Sequence, residues 1–160
     1  MRTAISDPQA SRPAMTASAF PVRDQRTAKF AAIPSAAGAA RRETVQTLKD
    51  WGLLELIDAA ELLVSELITN AIQVTGLSRE PANFGDLENV PCVLLQLQRT
   101  TFGLRLLVWD RDPRQPIRRQ VSDDAESGRG LQLVEAMSAR WGHYRPPYGG
   151  KVIWAEVVAE

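Results

Sequence analysis

The stretch ELLVSELITNAIQ, residues 61–73, sets Glu66 and Asn70 four positions apart among leucine, isoleucine and alanine. On a helix that spacing stacks both side chains on one face. A buried carboxylate is costly unless something pairs with it. An acid and an amide on a hydrocarbon-lined wall suit a nucleotide or a metal. The amide oxygen is a hard ligand fit for Mg²⁺, and the carboxylate can take a proton from an attacking hydroxyl or order a water. The same spacing also fits a plain polar stripe on a half-buried helix.

Two further stretches carry chemistry. Asp110 closes the apolar run GLRLLVWD, and a carboxylate at a strand end can accept a hydrogen bond from an exocyclic amino group such as adenine's. The run Asp-Arg-Asp-Pro that starts there is equally good turn chemistry. In SGRGLQLVEAM, Gly128 and Gly130 sit just before a helical pattern with Arg129 between them. Glycines admit close backbone approach, free N–H groups at a helix start suit phosphate, and an arginine adds charge-assisted bonds. No Gly-Lys-Ser/Thr follows, so this is not a Walker loop. A simple loop-to-helix junction has the same glycines.

Elements must hold these residues in place. Residues 1–25 mix Ala, Ser, Pro and charge without a period and read as a tail. TAKFAAIP reads as a strand closed by Pro34. Ser35 is then expected to cap a helix from Ala36 to about Trp51, with Arg41, Val45 and Leu48 at helical spacing and Gly52 as its stop. Asp58 opens the helix that carries Glu66 and Asn70, ending near Gly76. Residues 77–90 read as a loop. CVLLQLQRT and GLRLLVWD form an expected antiparallel hairpin, in which alternation turns Trp109 away from Asp110. A loop, a short helix over LQLVEAMSAR and two strands, WGHYRP and KVIWAEVVA, complete the chain. This order predicts an α/β fold, a two-layer α/β sandwich with a mixed, mostly antiparallel sheet covered on one face by helices. The folded domain spans 26–160.

Bulk properties exclude several classes. The 160 residues are 44% hydrophobic and 24% charged with a net charge of zero, so no strong pull toward nucleic acid or a membrane surface is built in. No apolar run is long enough to span a bilayer and no secretory leader is apparent. One cysteine, Cys92, and one histidine, His143, give poor support to a zinc site or a Cys–His nucleophile. His143 and the tryptophans Trp51, Trp141 and Trp154 read as structural. Arg118 and Arg119 read as a solvated loop, with phosphate or partner contact as the alternative.

Taken in order, SELITNAI, VWDRDPRQP, GRGLQLVEAMSARWG and GGKVIWAEV resemble the ATPase domains of bacterial anti-sigma-factor serine/threonine kinases. Those are relatives of the histidine-kinase and gyrase-type ATPases that share the GHKL (Bergerat) fold. The resemblance covers about residues 26–160. It implies Glu66 as general base, Asn70 as the Mg²⁺ ligand and Asp110 as the reader of the adenine amino group. Gly128, Arg129 and Gly130 match the phosphate-side glycine motif, with Leu131 continuing that cofactor-binding stretch, and residues 111–127 match the ATP lid in position. The implied cofactors are ATP and Mg²⁺. The implied partners are an anti-sigma-factor antagonist of the STAS type, a sigma factor or both, in the cytoplasm, without direct nucleic-acid or membrane contact. A homodimer is left open. Val74 stands where many members carry histidine, Val152 where the wider superfamily often carries threonine, and DRDPRQP replaces the Asp-x-Gly-x-Gly form. These departures keep a second reading open: a non-catalytic nucleotide-sensing module that binds protein.

Overall fold

The computed structural model describes residues 20–116 and 130–159. In chain order they form β1 (Val22–Ala31), α1 (Ala36–Trp51), α2 (Ile57–Thr75), β2 (Cys92–Thr100), β3 (Gly103–Asp110), α3 (Gly130–Met137), β4 (Arg140–Tyr144) and β5 (Lys151–Val158). Short 3₁₀ turns occupy Leu54–Leu56 and Phe84–Leu87.

The five strands make one sheet in the order β1-β2-β3-β5-β4. Every neighbouring pair is antiparallel. The sheet is therefore antiparallel throughout, where a mixed one was expected. The α1–α2 pair is an even number of passes, so β2 returns antiparallel to β1. A single helix, α3, separates β3 from β4, which gives those two strands the same direction. β5 inserts between them and pairs antiparallel with both.

The helices cover one face of this sheet, as expected for a two-layer sandwich. β3 alternates buried and half-buried positions: Leu104, Leu106, Val108 and Asp110 are buried, and Arg105, Leu107 and Trp109 less so. The core joins that row to Leu95 and Leu97 of β2, Ile153 and Ala155 of β5, and Leu63, Leu67 and Ile68 of α2. Period-two alternation on the strands and helical periodicity on α2 thus meet in one hydrophobic layer.

Three local expectations change. β1 begins at Val22, inside the stretch read as a tail, because pairing with β2 runs from Val22 opposite Thr100 to Ala31 opposite Cys92. Its main-chain bonds hold a segment whose polar side chains gave no strand signal. Residues 1–19 lie outside the described residues. Ser35 does not cap α1 with its side chain. Its N–H and its hydroxyl, the latter at 3.1 Å, bond instead to the Glu80 carboxylate from the 77–90 loop. The buried stripe of α1 is Ala36, Ala40, Thr44, Thr47 and Leu48, while Arg41 is exposed. Buried threonines are tolerable because Thr44 and Thr47 donate back to the carbonyls of Ala40 and Glu43, each at 2.8 Å. Gly52 does end α1 in the left-handed region, at φ 71°.

Candidate functional site

α2 is the wall of the site. Leu63, Val64, Leu67, Ile68, Ala71 and Ile72 are buried, which commits most of its circumference to the core. Glu66 and Asn70 lie on the remaining face and are half-buried. Among the described residues neither side chain has a hydrogen-bond or ion-pair partner.

Gly130 opens α3 directly against Glu66. A Cβ on Gly130 would lie 2.7 Å from Glu66 Oε2, far inside van der Waals contact. Glycine leaves room for the carboxylate in this position, and any larger residue would push it aside. The first N–H groups of a helix have no intrahelical partners, so α3 presents donors beside an acid. The Leu131 side chain is buried, which leaves its main-chain N–H as what it can offer a ligand. Gly128, Arg129, Arg118 and Arg119 lie outside the described residues, as does most of the expected lid.

Asp110 closes the helix-facing row of β3 and is 1% exposed. β3 and β5 pair it with Lys151, itself 3% exposed. Lys151 Nζ donates to Asp110 Oδ1 at 2.9 Å and to the Asp112 carbonyl at 3.1 Å. The Asp112 N–H donates to the same Oδ1 at 2.8 Å. Both bonds therefore converge on one oxygen, and no described residue donates to Oδ2. Burial pushes the Asp110 carboxyl above its ordinary range, and the bond and charge of Lys151 pull against that shift.

The turn beyond Asp110 is built from the same residue types. Asp112 accepts from the Arg114 N–H at 3.0 Å, and the Arg114 guanidinium bonds both of its carboxylate oxygens. Arg114 holds the Asp112 carboxyl down at about 2. The turn chemistry and the base-reading chemistry of Asp-Arg-Asp-Pro are thus compatible, because each uses a different carboxylate oxygen or residue.

α2 aims at this end of the sheet. Leu77, just past its C-terminus, donates to the Ala32 carbonyl at 2.8 Å, and Ala32 donates to Pro91. Those residues flank the end of β1 and the start of β2, the edge at which Asp110 and Lys151 sit. The fold therefore brings Glu66 against Gly130 and sets Asp110 beyond the C-terminal half of the same helix.

Trp109 faces away from Asp110, as alternation required, and its indole N–H donates to the Gly149 carbonyl at 2.9 Å. His143 lies on β4 opposite Ile153. Burial lowers its imidazole pKa, and the charges of Arg145 and Lys151 lower it further. Val152 is buried beside Lys151, and Val74 is exposed on α2. Two surface cavities lie elsewhere. One of about 650 Å³ is bordered by Arg23, Arg99 and Phe102, and one of about 430 Å³ by Thr69, Gln73 and Leu77. Neither is lined by Glu66, Asn70, Asp110 or Gly130. Among the described residues no cluster of three or more His, Cys, Asp or Glu could hold a metal, and no helix is long and apolar enough to cross a membrane.

Lys151 is the site residue that the sequence reading missed. A lone cation opening the apolar strand KVIWAEVV after two glycines was its available signal. Its partner is remote in sequence, and only the β3–β5 register joins the two.

An acid-amide helix, a strand-end aspartate and a glycine helix start are thus laid on the antiparallel sheet of an α/β domain. The chain belongs to the family described as histidine kinase-like ATPase domain, whose match spans residues 30–156. No curated protein matches the chain. The family carries ATP binding, usually with Mg²⁺.

Proposed function

We propose that this domain is an ATP-dependent serine/threonine protein kinase of the anti-sigma-factor type. It would modify an antagonist protein and so control a sigma factor. The observation that carries this reading is the contact of Glu66 with the Gly130 helix start: an acid without a described partner stands beside main-chain donors suited to phosphate. The site's donor set fits the cofactor. Asn70 offers a hard carboxamide oxygen on the Glu66 face, and the absent side chain of Gly130 lets the Glu66 carboxylate lie against the helix start. Bound Mg²⁺ would neutralise charge on the phosphates.

The chain's own groups divide the remaining work. Asp110 would accept the base's amino hydrogen, and the α3 N-terminus, with Gly128 and Arg129, would take phosphate oxygens. Glu66 would take the proton from a partner's serine or threonine hydroxyl. That oxygen forms its bond to the γ-phosphorus as the bond from phosphorus to the bridging oxygen breaks, and ADP leaves. Phosphoryl transfer depends mainly on positioning and charge neutralisation, and residues on a helix, a strand end and a helix start supply rigid placement.

Glu66→Ala is expected to bind ATP with near-wild-type affinity by calorimetry. It should lose transfer of label from γ-labelled ATP to a serine-bearing antagonist domain. Equal transfer by variant and wild type would remove Glu66 from the reaction. Calorimetry on Asn70→Ala with and without Mg²⁺ tests the metal assignment: only the Mg²⁺-dependent part of the affinity should fall.

A second reading keeps the site without the transfer step. DRDPRQP in place of the Asp-x-Gly-x-Gly form favours it, whereas Val152 is in register with Trp109 and lies on the sheet face opposite Asp110. Binding of ATP without label transfer to any antagonist domain selects that module.

A further inference from the structure

The buried pair formed by Asp110 and Lys151 has a feature that a structural ion pair does not need. Lys151 Nζ and the Asp112 N–H both bond Oδ1, at 2.9 and 2.8 Å. One oxygen takes both bonds, and no described residue donates to the other. Lys151 also bonds the Asp112 carbonyl at 3.1 Å, so it fixes the turn that places the second donor.

Resting on the adenine-reading role given to Asp110 above, we propose that Lys151 is the positioning residue that sets base selectivity. It keeps the Asp110 carboxylate ionised and orients it so that Oδ2 faces the base as an acceptor. An ionised carboxylate only accepts; a protonated one also donates. The first matches the exocyclic amino group of adenine, and the second matches the carbonyl found at the same position of hypoxanthine.

Lys151 and the Asp112 N–H both favour the charged form against the surroundings. Burial already raises the Asp110 carboxyl, and Asp112, also negative, adds to the rise. Lys151 is the described cation that opposes both. α2 turns Leu67, Ala71, Ile72 and Thr75 toward the core and supplies no charge there. Arg114 is engaged with Asp112, and on neighbouring β4 the charges of Arg145 and Lys151 act on His143.

The test is calorimetric binding of ATP and of inosine triphosphate, each with Mg²⁺, between pH 6 and 8. It compares the wild-type chain, Lys151→Met and Lys151→Gln. Lys151→Gln keeps a donor and removes the charge, and it serves if Lys151→Met does not fold. The ¹³Cγ resonance of Asp110 is titrated in each folded chain without nucleotide. The wild type should prefer ATP on the order of tenfold, with little pH dependence. In the variants the Asp110 titration should move up. ATP affinity should fall as the pH is lowered, and the preference over inosine triphosphate should shrink toward one.

Wild-type preference and a flat pH profile in both variants would overturn the inference and leave the nucleotide site standing. So would equal weakening of both nucleotides with an unmoved Asp110 titration, which is the mark of a merely structural lysine. Failure of the wild-type chain to bind either nucleotide would instead remove the site itself, and the inference with it.

Discussion

At the scale of single residues, the site is governed by atoms that nearly collide. A methyl group at Gly130 would meet the far end of the Glu66 side chain at 2.7 Å. That end can swing aside, so Gly130→Ala should change unfolding free energy by less than about 1 kcal/mol. If Glu66 has the role proposed for it, the displaced carboxylate would no longer reach the acceptor hydroxyl. Transfer should drop tenfold or more in a label-transfer assay, while urea unfolding stays near wild type. The Asp112–Arg114 pair makes a pH prediction. Arg114 holds the folded-state carboxyl at about 2, against an ordinary 3.8. A depressed carboxyl contributes stability that is fully present above about pH 4 and is lost as the pH falls toward 2. Arg114→Ala should therefore be less stable than wild type at pH 5–7, with the gap closing between pH 4 and 2. Urea midpoints measured across that range check the sign. Arg114 is largely exposed, so the gap should be small.

At the scale of elements, β3 and β5 decide whether Asp110 and Lys151 meet at all. The turn before β5 ends in Gly150, whose φ of 73° is left-handed. A Cβ there would lie 2.1 Å from the Asp110 carbonyl oxygen and 2.7 Å from the Trp109 indole nitrogen. Neither neighbour can yield without moving the strand that carries the site. Gly150→Ala should cost more than about 1 kcal/mol in chemical denaturation. It should also weaken ATP binding, because it pushes on the backbone of Asp110 itself. α2 shows the complementary economy of elements: one face of the helix supplies core residues and the other supplies Glu66 and Asn70. Packing of the first face therefore fixes the second.

At the scale of the whole molecule, the two faces of the sheet have separate tasks. The helix side holds the core and the site. The opposite side carries a polar ladder across all five strands. Gln98 bonds Gln25 at 3.3 Å, Arg105 bonds Gln98 at 3.1 Å, and Arg105 and Arg140 share the buried Glu156 carboxylate. This ladder ties the outer strands to the centre without a second helical layer. A ligand held between α2, the sheet end and α3 bridges parts that are far apart in the chain, so it should stabilise the fold as one unit. ATP with Mg²⁺ at about a hundredfold excess over Kd should add about 2.7 kcal/mol to the unfolding free energy. The melting temperature should rise accordingly, and chelation of the metal should reverse most of the gain. No rise with ATP and Mg²⁺ would remove the nucleotide from the site.

Much of this was written locally. The periodicity of α2 put Glu66 and Asn70 on one face, the hairpin placed Asp110 at a strand end, and the glycines before LQLVEAM marked a helix start. Each signal spans a few residues and depends on backbone geometry that those residues dictate. The start of β1 was not legible, because a polar edge strand is held by main-chain bonds to β2. The cap of α1 was not legible, because the acceptor came from Glu80 across a long connection. The purely antiparallel sheet followed from β5 slipping between β3 and β4. Lys151 is the sharpest case. Its residue type was plain in the sequence, but a buried lysine has meaning only through its partner. That partner was assigned by a strand register spanning 41 positions of chain. The sequence by itself determined which chemical groups were present and on which local face each lay. The tertiary structure alone decided which of them meet, because burial and register act between segments that no local pattern connects.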